Sequence, residues 1–229
     1  MHVPDGFIGP GVSAAAGLAA AGGFTVALRS TRDYLTERMV PFAALTAAFV
    51  FAAQMVNFPV LPGMSGHLLG GVLAAVLVGP AAGCLILSIV LVVQALLFAD
   101  GGLSALGINL LNMAVAGSVG GYWVYRTLLR LGGDRLRLVP VMAGVAALVS
   151  VPMAAAAFAL EFAAGGTAES VSMGSIWTAL VGTHALIGIG EGIITALVVG
   201  AAVAARPDLV FGVPARARHA PVTGSEVAG

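Results

Sequence analysis

The 229-residue sequence contains no lysine, and charged residues make up only 9% of it. A soluble domain carries roughly 25% charged residues, so this chain lacks the means to cover a globular surface with ions. The missing lysine also excludes a phosphate-binding GxxxxGK[ST] loop, so any ATP-driven role requires another chain. Cysteine occurs once, at Cys84 inside an apolar run, which leaves no intrachain disulfide and a thiol that reads as packing. Ten Arg balance ten Asp and Glu, so no basic surface for nucleic acid exists. Nor does Arg or Lys precede the first apolar stretch. MHVPDGFIGP carries an Asp and two Pro, the reverse of a signal peptide's basic start, and Met1 is expected to remain on the mature protein.

What the chain has in excess is apolar surface: it is 59% hydrophobic, with a mean hydropathy of +1.05. A helix needs about 20 largely apolar residues to cross the hydrocarbon. Runs near 11–28, 40–57, 67–79, 82–99, 105–125, 138–163 and 178–205 meet or approach that length and predict an all-α bundle of seven crossings. The stretch 67–79 is short and Gly-rich, so 67–99 reads alternatively as one helix kinked at Gly79-Pro80, or as a re-entrant hairpin. Charge decides between the first two. With seven crossings and the N-terminus outside, Arg29, Arg32, Arg38, Arg126, Arg130, Arg135, Arg137, Arg206, Arg216 and Arg218 all fall on the cytoplasmic side, as the positive-inside rule favours. One merged helix would put Arg126, Arg130, Arg135 and Arg137 outside. The reading therefore divides the chain into a membrane domain, 1–205, with an N-terminal metal-binding segment at 1–10, and a disordered cytoplasmic tail, 206–229, in which His219 has no role.

This topology gathers the chemically capable residues at the outer face: Met1 to Asp5, Asn57 to His67, Asp100 to Asn112 and His184. A free Met1 amine, the His2 amide nitrogen and the His2 imidazole can close fused five- and six-membered rings around one cation. A fourth imidazole completes a square-planar nitrogen set, the geometry of Ni(II) or Cu(II) with Co(II) a neighbour in affinity order, and His67 is the candidate. The His2 amide must lose its proton, so binding weakens as pH falls. Asp5 is expected to orient the His2 imidazole through its distal nitrogen. Taken alone, a histidine after the initiator more often marks an ordinary exposed terminus.

MHVPDGF, NFPVLPGMSGHLLGG at 57–71, QALLFADGGLSALGINLLNMA at 94–114 and HALIGIGEGIITA at 184–196 together resemble the CbiM/NikM family, the substrate-specific components of energy-coupling-factor (ECF) importers for cobalt and nickel. The resemblance spans nearly the whole chain. It implies a small multi-pass bundle in a prokaryotic cell membrane and metal held by the amine, His2 and His67. It further implies Co2+ or Ni2+ as cargo with no cofactor, and no ATPase of its own. The partners so implied are a transmembrane coupling component, cytosolic ATP-binding subunits, a small accessory membrane subunit and membrane lipid, and the likeness leans toward cobalt for cobalamin synthesis.

The remaining polar residues have two readings each. His184, Gly188 and Glu191 share one face of the last helix: His184 is a hydrogen-bonded bundle residue or a fifth ligand, and Glu191 ties helices together or serves an ion path. Asp100, Asn57, Asn109 and Asn112 are capping and turn residues or a supporting shell, with Asn109 and Asn112 together facing the N-terminal segment. Two rival functions use the same residues. Ser65 in Gly63-Met64-Ser65-Gly66 with His184 has the types of a rhomboid-like serine protease, and Glu191 suits a self-sufficient secondary carrier.

Overall fold

The structure, a computed structural model, describes residues 1–61, 63–169 and 171–214. Arg216, Arg218 and His219 lie outside the described residues. Prolines open several of the helices, at the first-turn positions where a missing N–H costs nothing: α1 (Pro10–Arg32), α2 (Val40–Met55), α4 (Pro80–Leu97) and α7 (Val139–Gly165). Between α2 and α4 lie a two-stranded antiparallel hairpin, β1 (Phe58–Leu61) and β2 (Met64–Gly66), and the eight-residue helix α3 (Gly71–Val78). After α4, helix α5 (Leu106–Asn109) continues through a π-helical stretch, Leu110–Gly120, into α6 (Gly121–Leu131). The chain ends in α8 (Met173–Ser175), a π-helical turn Ile176–Val181 and α9 (Gly182–Ala205).

Among the described residues five helical stretches are long and apolar enough to cross a membrane: Pro10–Arg32, Glu37–Met55, Pro80–Leu97, Leu136–Gly165 and Met173–Ala205. The rod from α5 through α6 extends about 40 Å at 1.5 Å per residue, enough to join them. The seventh apolar run is different. At eight residues α3 is about 12 Å long and cannot span alone. All eight residues are buried, which explains why the run carries no amphipathic signal. Gly79 takes φ +97°, open to glycine alone, and turns the chain so that α4 returns along α3. A Cβ on Gly83 would lie 2.8 Å from the Ala75 amide, whereas eight residues of one continuous helix would separate them by about 12 Å. The single kinked helix is thereby excluded, and an extended segment, 64–70, completes the passage that α3 begins.

The ends of the elements sort into two groups. At one end the Tyr34 ring stacks near Phe211, with centroids 5.1 Å apart, and the Tyr34 oxygen accepts from the Ala82 amide at 2.9 Å. Tyr125 donates to the Gly212 carbonyl at 2.8 Å. The described arginines belong to the loops and helix ends of this pole. At the other end the N-terminal segment meets the chain just after α7, where Gly9 donates to the Gly165 carbonyl at 2.8 Å.

The stretch 206–214, read from the sequence as the start of a disordered tail, is ordered and docked. Val210 and Val213 are buried, and the Phe211 and Gly212 amides donate to the Leu77 and Val76 carbonyls at 3.0 and 2.8 Å. The physical reason lies in α3: its last carbonyls lack helical partners because Gly79 turns the chain and Pro80 has no N–H, so a returning segment supplies the donors. A close seam joins α7 to α9, where a Cβ on Gly144 would lie 2.6 Å from the Gly192 carbonyl oxygen. Only hydrogen fits there, and backbones approach as small residues allow in membrane bundles.

Candidate metal centre

The N-terminal segment enters the bundle instead of lying upon it, because neighbouring loops pair with its backbone on both sides. Thr167 donates its amide to the Phe7 carbonyl at 2.9 Å, Gly102 to the Val3 carbonyl at 2.9 Å, and Ile8 bridges Gly166. Asn109 acts like a strand neighbour to Val3: Oδ1 accepts from its amide at 2.8 Å while Nδ2 donates to its carbonyl at 3.2 Å. The consequence is that Met1 and His2 are 1% and 2% exposed, and His67 is 2% exposed.

There the Met1 amine meets Nε2 of His67. The His67 ring donates Nδ1–H to the Leu68 carbonyl at 2.8 Å, which leaves Nε2 with its lone pair. His2 donates Nε2–H to Oε1 of Gln94 at 3.1 Å, which leaves Nδ1 with its lone pair and with no hydrogen-bond partner. The two imidazoles stand 4.6 Å apart, centroid to centroid. Burial drives the Met1 amine from its usual 8.0 down to about 4, with Asp100 and Glu191 pulling the other way. Burial, and then the neighbouring amino group, take the His2 imidazole to about 3. The Met1 amine and the His2 imidazole are therefore neutral electron-pair donors at neutral pH, beside the Nε2 lone pair of His67.

Asp100 Oδ1 lies 3.2 Å from His2 Nδ1. Since burial holds the imidazole neutral, this contact is not an ion pair. A lone pair faces a carboxylate oxygen, and two acceptors so placed are reconciled by a proton or by a cation. Among the described residues no group of three or more His, Cys, Asp or Glu side chains forms a metal cage. The groups gathered here are of another kind, a main-chain amine beside two imidazoles.

The other candidates fall into place unevenly. Glu191 reaches from α9 to accept the consecutive amides of Leu69 and Gly70 at 2.5 and 2.8 Å, fastening the segment that carries His67. Asn57 donates to Asp100 Oδ2 at 3.2 Å. Asp5 does not touch His2: its Oδ1 takes the amide and hydroxyl of Ser104 at 2.7 and 2.5 Å, and Gln94 holds the distal imidazole nitrogen instead. Asn112 turns away from the N-terminal segment and donates to Glu161 Oε2 at 2.6 Å, so only Asn109 of that pair faces Val3. The π-helical winding that begins at Leu110 breaks the spacing expected to align them. His184 is buried and donates Nδ1–H to the Leu180 carbonyl at 2.8 Å, the bundle role, while its Nε2 makes no hydrogen bond. Ser65 has no hydrogen-bond partner, so the serine and histidine of the protease alternative are not joined. Gln94 and Gln54, which donates to the Leu69 carbonyl at 2.7 Å, were not singled out from the sequence. A lone amide within an apolar run such as IVLVVQALL was the available signal, since a polar group there needs a partner.

Comparison with known proteins follows the same geometry. Residues 2–209 match the family described as the cobalt uptake substrate-specific transmembrane region, CbiM. A cobalt transport protein of Chlorobium limicola is 32% identical over 203 residues, 88% of this chain and 80% of that protein. A fused nickel transport protein of Rhodobacter capsulatus is 38% identical over 162 residues, 71% of this chain and 47% of that longer protein. A solved structure of a truncated transition metal transporter superposes with a TM-score of 0.81 at 32% identity, covering 90% of this chain and 99% of that one.

Proposed function

The chain belongs to the CbiM family of cobalt-uptake substrate-specific transmembrane regions, and from that premise we propose that it recognises a divalent cobalt or nickel ion through nitrogens of its first two residues and of His67. The donors are the Met1 amine, the deprotonated His2 amide, His2 Nδ1 and His67 Nε2, a four-nitrogen set suited to a square-planar site. The single observation that carries this reading is the meeting of a buried Met1 amine with His67 Nε2, beside a His2 Nδ1 that has no hydrogen-bond partner. Gln94 and the Leu68 carbonyl hold the distal nitrogens, so each ring is presented in the tautomer that ligation needs.

The cargo enters from the pole that holds the N-terminus, which faces outward, while the arginine-bearing pole faces the cytoplasm. The protein is the substrate-binding subunit of an ECF importer in a prokaryotic cell membrane. It works beside a coupling membrane protein, ATP-binding subunits and a small accessory subunit, none of whose work its own side chains supply. Support for this arrangement comes from the relatives named for cobalt and nickel transport and from the absence of any lysine for a nucleotide-binding loop.

Titration calorimetry on purified protein with a native start tests the ligand set. One ion per chain is expected, and both His67→Ala and a residue added ahead of Met1 should weaken cobalt and nickel at least a hundredfold, beyond the tenfold to hundredfold typical of outer partners. Unchanged affinity in either variant overturns the assignment. Uptake that proceeds in vesicles without any ATPase would favour the secondary carrier.

A further inference from the structure

The three ligating residues are each 2% exposed or less, so a cation reaches them only through surrounding protein. Directly outside them a cavity of about 380 Å³ opens at the N-terminal pole, with Asp5, Asn57, Ser65, Asp100 and Gly102 in its wall. At roughly 30 Å³ per water it has room for on the order of ten waters, enough for a divalent ion with its hydration shell. One side chain belongs both to this cavity and to the buried centre. Asp100 receives the Asn57 amide on Oδ2 at 3.2 Å, while Oδ1 stands 3.2 Å from His2 Nδ1, a buried nitrogen with no hydrogen-bond partner. Its neighbour in the wall, Gly101, leaves room for the same ring, for a Cβ there would lie 3.2 Å from His2 Cδ2. The backbone on either side of Asp100 is left-handed, Ala99 at φ +51° and Gly101 at φ +94°. An alanine adopts that conformation only at a cost, the kind of strain that is kept where a side chain has to be aimed. Asp5, the other acid of the wall, has one oxygen engaged twice by Ser104 and does not reach His2.

We propose that this cavity is a capture vestibule for a hydrated divalent cation, and that the Asp100 carboxylate hands the ion to His2 Nδ1. The proposal rests on Met1, His2 and His67 being the final ligands. The exchange is one of ligands alone. The ion keeps its charge, waters leave as nitrogens replace oxygens, and the His2 amide is deprotonated, its proton going to solvent. A carboxylate oxygen suits a first contact because oxygen binds cobalt and nickel less strongly than imidazole does, so the ion does not stay on it. A negative group at the mouth of a low-dielectric passage also raises the local concentration of cations and hence the rate of association.

Stopped-flow mixing of the full-length protein with nickel or cobalt ions tests this, with the quenching of Trp177 or Trp123 fluorescence, or the metal's own absorption, as signal. Asp100→Asn keeps the shape and an acceptor for Asn57 but removes the charge. Association should slow on the order of tenfold, with a dissociation rate changed much less. The wild-type association rate should fall with added salt, and the variant should lose most of that dependence. Asp208→Asn, at the opposite pole, should leave both rates alone. If the Asp100→Asn association rate and its salt dependence match wild type, or if only dissociation accelerates, the vestibule falls while the ligand set stands. Should the variant prove unstable, a salt-independent wild-type rate by itself overturns the proposal. Loss of metal binding in neither His67→Ala nor the N-terminally extended protein would instead bring down the reading beneath it.

Discussion

Gln94 is one amide in the middle of the apolar run IVLVVQALL, and it decides which nitrogen of His2 is free. Without its acceptor the imidazole can carry its proton on Nδ1, the proposed ligand atom. Gln94→Ala should therefore weaken cobalt and nickel binding by about 10- to 100-fold in calorimetry, the usual effect of removing a partner behind a ligating histidine. Gln94→Glu, which still accepts from Nε2–H, should recover most of the loss. A second consequence follows from burying neutral bases. Between about pH 4 and 8 the unfolded chain binds a proton at the Met1 amine that the folded protein does not, and between about 3 and 6.5 the same holds for the His2 imidazole. Stability rises with pH wherever the unfolded state binds more protons. The metal-free protein should thus melt at progressively lower temperature as pH is lowered from about 8 to about 5 in detergent. Equal melting temperatures at the two ends would mean that these groups are not held neutral inside.

At the scale of elements, the proposed metal centre hangs on a segment, residues 67–70, that is neither helix nor strand. Its buried Leu69 and Gly70 amides donate to Glu191 of α9. Glu191→Ala leaves the Leu69 and Gly70 amides buried without acceptors, at about 1–3 kcal/mol each. The variant should unfold several degrees earlier and bind metal more weakly, because His67 is two residues from the lost anchor; thermal melts with and without nickel measure both. Stability lost with affinity intact would make Glu191 a helix tie alone. The same contact joins the segment that carries His67 to α9, the helix packed along α7. Asn109 and the chain around Gly165 and Gly166 play the corresponding part for the N-terminal segment.

At the scale of the molecule the two poles differ in charge, and the proposed membrane orientation rests on that difference. With the arginine pole in the cytoplasm, Leu103→Cys near the N-terminus should react with an impermeant maleimide on intact cells. Arg130→Cys should react only after the membrane is opened. Both residues are exposed, and the native Cys84 is buried at 1% exposure and should stay silent. Labelling of Arg130→Cys from outside would invert the topology and remove the argument for which face captures the ion.

The sequence by itself determined that the chain is a membrane bundle and where its apolar runs lie, because hydropathy and helix length are local properties. It also offered a chelate at the first two residues, since fused rings need only neighbouring atoms along the chain, and the structure buries that terminus against His67. His67 and Asn109 were legible as polar residues at the near ends of apolar runs. What the tertiary structure decided was every partnership across the chain. Asp5 goes to Ser104 and Gln94 takes the His2 nitrogen; Asn112 goes to Glu161, and the stretch after Arg206 docks to cap α3. A polar group inside a bilayer must find a partner, but sequence spacing does not say which one. The choice depends on how closely the helices approach, on the π-helical turn that rotates Asn112 away and on the hairpin at Gly79. These are set by packing among elements far apart in the chain.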